Sequence, residues 1–274
     1  MKHGTLLLLL AATAFAACKN SDETVPAENT TAKTVAIPVI NYAVNATHPH
    51  DTSSYTEGFL FHKGELYEST GYDSSFPSTR SLFGTVDLKT GKIEVKKELD
   101  KKKYFGEGIV FLNDKIYQLT YTTKVGFIYD AKSFEKIAEF TYPSEQGWGM
   151  TTDGASLIMT DGTNKITYIS PADFKVSKTL SVSDENGPVF YLNELEIING
   201  FIYANVFTKN YIVKIDPATG NVVGKLDLSS LVHEVAVKYP AAQQMNGIAY
   251  DSASKKVFVT GKLWPVIYEI AFSY

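Results

Sequence analysis

The run Glu107-Gly108-Ile109-Val110-Phe111-Leu112-Asn113-Asp114-Lys115-Ile116-Tyr117-Gln118-Leu119-Thr120 holds the pattern from which the whole chain is built. It reads as a strand, a two-residue turn and a second strand. Asn113-Asp114 supplies residues that tolerate the left-handed backbone a tight hairpin needs. Alternation of apolar and polar residues after the turn marks a β-strand. Working outward, the same opening recurs as Glu57-Gly58-Phe59, Trp148-Gly149-Met150, Glu194-Leu195-Glu196 and Asn246-Gly247-Ile248. The middle residues, at positions 58, 108, 149, 195 and 247, are 50, 41, 46 and 52 residues apart. Steps of that size match a four-stranded propeller blade.

Each opening is followed by a turn, a second strand, a third strand and, in four units, a fourth. The turns at Asp87-Leu88-Lys89-Thr90-Gly91 and Asp216-Pro217-Ala218-Thr219-Gly220 are the plainest between third and fourth strands. The last unit has only three strands before Tyr274, and an unclosed ring leaves an edge exposed. Val35 to Ile40 is β-rich and carries Pro38, which suits an outer edge. The expected fold is therefore all-β, a five-bladed β-propeller in which an N-terminal strand, Val35 to Ile40, completes the last blade. Ser229 to Gln244 fits no blade and reads as a short helix or long loop.

The first residues are of another kind. Lys2, Leu6 to Leu10 and Ala11 to Ala17 form a charged start and a short apolar stretch. Ala14-Phe15-Ala16-Ala17-Cys18 resembles the lipobox of bacterial lipoproteins, with Phe15 where Leu is usual. The expected organisation is a signal peptide over 1–17, a polar tether over 18–34 and the propeller domain over 35–274. Cys18 would carry the lipid, giving a cell-envelope protein held at a membrane, with the outer membrane favoured by Lys19. Cys18 is the sole cysteine, so an internal disulfide is excluded.

Composition narrows the function classes. Net charge is -4 and Arg80 is the single arginine. Bidentate arginine readout of phosphates or bases is nearly unavailable, so nucleic acid is not an expected partner. His48-Pro49-His50 is the one close histidine pair and no metal-ligand set accompanies it. No cofactor motif is present. A closed ring offers no free sheet edge at its seam, and a monomer is expected.

In a propeller the first strands line a central channel, and their opening residues ring one mouth. Those residues are Glu57, Glu107, Trp148, Asn193 with Glu194, and Asn246. Tyr121 and Phe207 follow second strands, as do Lys262 and Trp264. Carboxyls beside aromatic rings have raised pKa values, and a lysine opposite lowers them. Each residue also has a packing alternative: Glu57 as a turn cap, Trp148 as core, Lys262 as surface, Asn193 and Asn246 as turn formers. The residues alone support a propeller with a polar, aromatic pocket.

Several runs resemble the plant-type and bacterial glutaminyl-peptide cyclotransferase family. They are Tyr55-Thr56-Glu57-Gly58-Phe59, Phe105-Gly106-Glu107-Gly108, Gln118-Leu119-Thr120-Tyr121, Gly147-Trp148-Gly149, Leu192-Asn193-Glu194-Leu195-Glu196, Asn246-Gly247-Ile248-Ala249 and Thr260-Gly261-Lys262-Leu263-Trp264-Pro265. The resemblance spans about Val39 to Ile270. It implies a five-bladed propeller that converts N-terminal glutamine of peptides or proteins to pyroglutamate with release of ammonia. It implies Glu107 as proton shuttle, Lys262 as oxyanion partner and Asn193 as a substrate-bonding catalytic residue. Glu57, Tyr121, Trp148, Phe207 and Asn246 would contact substrate. The chain departs from the family in having Glu57 where glutamine is usual, and Tyr121 and Phe207 where tryptophan is usual. Those departures leave a non-catalytic peptide-binding propeller as the alternative. The longer run Asp73-Ser74-Ser75-Phe76-Pro77 is expected to cover part of the mouth.

Overall fold

Five antiparallel four-stranded sheets stand around a common axis in a computed structural model that describes Met1 and residues 36–274. Blade one comprises Thr56–His62, Glu65–Thr70, Leu82–Val86 and Ile93–Glu98. Blades two, three and four begin at Gly106–Leu112, Met150–Thr152 and Leu192–Ile198, and each runs outward in sequence order. Blade five holds Met245–Asp251, Lys256–Gly261 and Val266–Phe272, and its outermost strand is Tyr42–Pro49 from the other end of the domain. The proposed signal peptide, Cys18 and the tether lie outside the described residues.

The closing strand exists, but it is not Val35 to Ile40. Tyr42–Pro49 pairs antiparallel with Val266–Phe272, from Tyr42 opposite Phe272 to Pro49 opposite Val266. A bulge between Val44 and Ala46 breaks its alternation, which hides the strand from a period-two reading. The later part of that segment, Pro38 to Ile40, instead lies along blade four. The Lys225 N–H donates to the Pro38 carbonyl at 3.0 Å, and the Ile40 N–H donates to the Lys225 carbonyl at 2.8 Å. The stretch read as a short helix or a long loop holds a helix, Ser229–Lys238, with Leu231 and Val235 buried.

Gly108 and Gly149 of the opening motif have a steric cause, whereas Gly247 is set by its φ of +123°. A Cβ on Gly108 would stand 2.4 Å from the Met150 nitrogen and 2.6 Å from the Trp148 carbonyl oxygen. A Cβ on Gly149 would stand 2.4 Å from the Asn193 carbonyl oxygen. Innermost strands of neighbouring blades therefore touch backbone to backbone near the axis, and the Gly108 N–H donates to the Trp148 carbonyl at 2.8 Å. A side chain has no room there.

Blade four breaks this rule and corrects its register. Leu192 pairs with Val206 as Gly106 pairs with Thr120 and Met245 with Gly261. The residue at the glycine position is thus Glu194, not Leu195. Its carboxylate accepts the N–H of Ile248 at 2.7 Å and of Phe59 at 3.4 Å, tying blade four to blades five and one. Burial, with Glu196 nearby, raises its pKa well above the usual range, although both N–H donors oppose the rise.

A second polar tie sits at the closure. His50 follows the closing strand. Its Nδ1 lies 2.8 Å from the Trp264 carbonyl and its Nε2 lies 3.0 Å from a Glu68 carboxylate oxygen. Both nitrogens face oxygens, an arrangement that suits the doubly protonated ring. Burial opposes that charge, yet Glu68 and the carbonyl outweigh it and the His50 pKa is raised.

Candidate active site

With blade four in register, one position in all five opening strands carries Glu57, Glu107, Trp148, Asn193 and Asn246. Alternation along a strand points equivalent residues the same way. Four of the five, with Tyr121, Phe207 and Lys262, line a single cavity of about 360 Å³ at the channel mouth. Tyr55, Phe105, Tyr72, Asp73 and Ser74 complete it. The volume is at the small end of small-ligand sites.

Asn246 does not line the cavity. It lies one layer behind, where its Nδ2 donates to the Thr56 carbonyl at 2.9 Å and to a Glu57 carboxylate oxygen at 3.2 Å. Its Oδ1 accepts the Glu194 N–H at 3.4 Å. It holds Glu57 in place.

The other Glu57 oxygen accepts from Lys262 Nζ at 2.5 Å. Both side chains are nearly buried. Lys262 reaches the cavity from a clamped loop. Its N–H donates to the Gln244 carbonyl and its carbonyl accepts the Gln243 N–H. Leu263 follows with φ +59°, a conformation rare for a branched residue, and its N–H donates to the Ser54 carbonyl at 2.7 Å. The ammonium sits 4.5 Å from the Tyr55 ring centre and 5.6 Å from that of Phe207. Trp264, by contrast, is core, its indole N–H donating to the Gln243 carbonyl.

Burial pushes the Glu57 carboxyl up to about 7, against the pull of Lys262 and with a small push from Asp73. Glu107 is raised well above the carboxylate range, first by burial and next by Glu57, with Lys262 opposing. No hydrogen bond from the described residues acts on its carboxyl. Its backbone is pinned, however: Ser69 Oγ donates to the Glu107 carbonyl, and Gln118 Nε2 donates to Ser69 Oγ at 3.0 Å. Asn193 is held similarly, its carbonyl accepting Thr160 Oγ1 at 2.8 Å. The Asn193 side-chain Oδ1 is buried and has no partner. A buried acceptor without a donor is costly unless a ligand supplies one.

The walls are aromatic. Tyr55 and Phe105 meet edge to face at 6.0 Å, and Phe105 meets Tyr121 at 5.8 Å. Trp148 and Phe207 meet edge to face at 5.7 Å, with Trp148 Nε1 donating to Gln146. Tyr55 and Phe105 were not singled out as site residues from sequence. Each stands two residues before a motif glutamate, just ahead of the strands that start at Thr56 and Gly106, so the aromatic residue preceding each motif is the signal that would have found them.

A packing core does not leave a lysine, two perturbed carboxyls and an unpartnered amide oxygen around one cavity. Such a set suits a propeller that handles a small polar ligand and moves protons on it. A family model described as glutamine cyclotransferase matches residues 9–272. Glutaminyl-peptide cyclotransferase of Arabidopsis thaliana is 38% identical over 229 residues, 83% of this chain and 70% of its own length. The crystal structure of Myxococcus xanthus glutaminyl cyclase is similar with a TM-score of 0.77 at 32% identity, covering 86% of this chain and 98% of that one. The chain belongs to the glutamine cyclotransferase family.

Proposed function

We propose that the protein cyclises N-terminal glutamine of peptides or proteins to pyroglutamate. The observation that carries this reading is Glu107: a buried carboxyl with a raised pKa and no hydrogen bond of its own, in one cavity with Lys262 and Asn193. In the reaction the substrate's α-amine nitrogen forms a bond to the side-chain amide carbon, and the amide C–N bond breaks. One proton leaves the amine and one joins the departing nitrogen, which leaves as ammonia. Glu107 takes the first proton and returns it to the leaving group, a role suited to a carboxyl that burial holds well above the usual carboxylate range. Lys262 faces the carbonyl oxygen, where negative charge grows. Asn193 Oδ1 accepts a substrate N–H. Trp148, Phe207, Tyr121 and Phe105 fold the glutamine side chain back on its own amine, which supplies orientation. No redox or group-carrying cofactor is required by this balance. The test is ammonia release from a Gln-initiated dipeptide, with Glu107→Gln as the inactive control. Absence of release from several such peptides would remove the proposal.

The location is part of the proposal. Cys18, after Ala16-Ala17, would be lipidated once residues 1–17 are removed, leaving the propeller at the cell-envelope membrane on a tether. Metabolic labelling with a fatty-acid analogue tests this, with loss of label expected in Cys18→Ala. A monomer is expected of the soluble domain, which light scattering checks.

A further inference from the structure

The longer loop after blade one's second strand puts Tyr72, Asp73 and Ser74 on the cavity rim. It is a braced loop. The Asp73 N–H donates to Thr79 Oγ1 at 2.9 Å, and that hydroxyl donates to the Phe76 carbonyl at 2.7 Å. The Phe76 N–H returns to the Asp73 carbonyl at 2.9 Å, and the Tyr72 N–H donates to Ser81 Oγ at 3.0 Å. Thr79 and Ser81 are fully buried, and the Phe76 ring packs on Tyr55 with centres 6.1 Å apart. The loop therefore presents Asp73 in a fixed place.

Charges around it are already assigned. Lys262 is taken by Glu57, Arg80 by Glu98, and the Lys101 ammonium lies over the Tyr72 ring at 4.5 Å. One Asp73 oxygen accepts the Ser75 N–H at 2.8 Å. No ion pair among the described residues includes Asp73. Its charge is felt at Glu57 and at Tyr55, whose hydroxyl it also meets as a hydrogen-bond partner, so it lies beside the reacting groups. Half-buried, it keeps part of its field unscreened.

Tyr72, Asp73 and Ser74 line the same cavity as Glu107, Asn193 and Lys262, so a peptide whose glutamine side chain reached those three would have this rim within reach of its next residue. We infer that Asp73 reads the residue after the glutamine and favours a cationic side chain there, lysine or arginine, over an acidic one. The inference rests on the cyclotransferase reading of the same cavity.

The experiment compares Gln-Lys, Gln-Ala and Gln-Glu peptides, blocked at the C-terminus, by kcat/KM and by calorimetric affinity. Wild type should prefer Gln-Lys to Gln-Glu by about 10-fold at low salt, with the ratio shrinking as salt is added. Asp73→Asn should bring the ratio close to one, and Asp73→Lys should invert it. Equal use of the three peptides by wild type, or a preference that survives Asp73→Asn, overturns the inference. If no peptide releases ammonia, the cyclotransferase reading fails by itself. The affinity ratio between wild type and Asp73→Asn then still decides the role of Asp73.

Discussion

Glu57→Gln should make the enzyme faster, and only above neutral pH. Glu57 accepts Lys262 on one oxygen and Asn246 on the other. Asn246 cannot turn round to adapt, because its amide already serves the Thr56 carbonyl and the Glu194 N–H. A glutamine has one acceptor where the carboxylate has two, so the charge pairing with Lys262 ends. With its pKa pushed to about 7, Glu57 is mostly neutral in mildly acidic solution and leaves the Lys262 charge uncompensated. Above neutrality it is an anion. It then cancels much of the lysine's pull on the developing oxyanion, and it repels negative charge on Glu107. The substitution removes both effects. Two unit charges several ångströms apart interact by about 2–4 kcal/mol at an effective dielectric of about 20. Solvent in the cavity leaves about half of that, a rate factor of about 10. The assay is kcat/KM for ammonia release from a Gln-peptide across the pH range, read as the ratio of variant to wild type. That ratio should be near one at about pH 6 and about 10 at about pH 8.5. A ratio that does not change with pH, or that lies below one at the alkaline end, refutes the coupling of Glu57 to Lys262 and Glu107.

Other outcomes follow from the same contacts. Lys262→Ala should lower kcat by about 10²–10³-fold with a smaller change in KM, as for a group that acts on the developing oxyanion; steady-state kinetics decide it. Gly108→Ala forces a methyl against the Met150 and Trp148 backbone, and should cost about 3 kcal/mol, lowering Tm by about 6–12 °C in a thermal melt. Glu68→Gln breaks the buried pair with His50 and should cost about 3–5 kcal/mol at about pH 6. Because the folded His50 pKa is raised, its contribution is fully present below 6.5 and is lost as pH rises through the folded value. The Tm gap between wild type and Glu68→Gln should therefore narrow as pH rises from 6.5 through the raised folded value of His50, and a gap that widens contradicts an imidazolium at His50.

The blade count was legible because its cause is local. Inner strands that touch backbone to backbone require glycine, and a glycine that recurs in the same short motif every 41 to 52 residues is visible in a bare sequence. The same logic failed in blade four, where Glu194 occupies the glycine position and reaches across the axis. That bond joins residues 54 apart and leaves no local trace. The closing strand was foreseen in kind but misplaced, since the bulge at Val44 and Ala46 breaks its alternation, whereas the segment around Pro38 looks more regular and belongs beside blade four. Most of the cavity's polar residues were named from their motifs. What spacing could not supply was their partners: Lys262 and Glu57 stand 205 positions apart and form a single ion pair. Asn246 belongs to an opening motif and shares its strand position with Glu107. Its side chain instead turns to Thr56 and Glu57 across the blade boundary, and only three-dimensional packing decides that.

The most direct test of the central claim is made on wild type and Glu107→Gln with one Gln-initiated peptide, following ammonia and the pyroglutamyl product together. Wild type should form both in equal amounts, and Glu107→Gln should be slower by about 10²–10⁴-fold while still binding the peptide. Product formation by Glu107→Gln at the wild-type rate would contradict the role of Glu107. A wild type that binds the peptide and releases no ammonia would make the cavity a binding site and not a catalytic one.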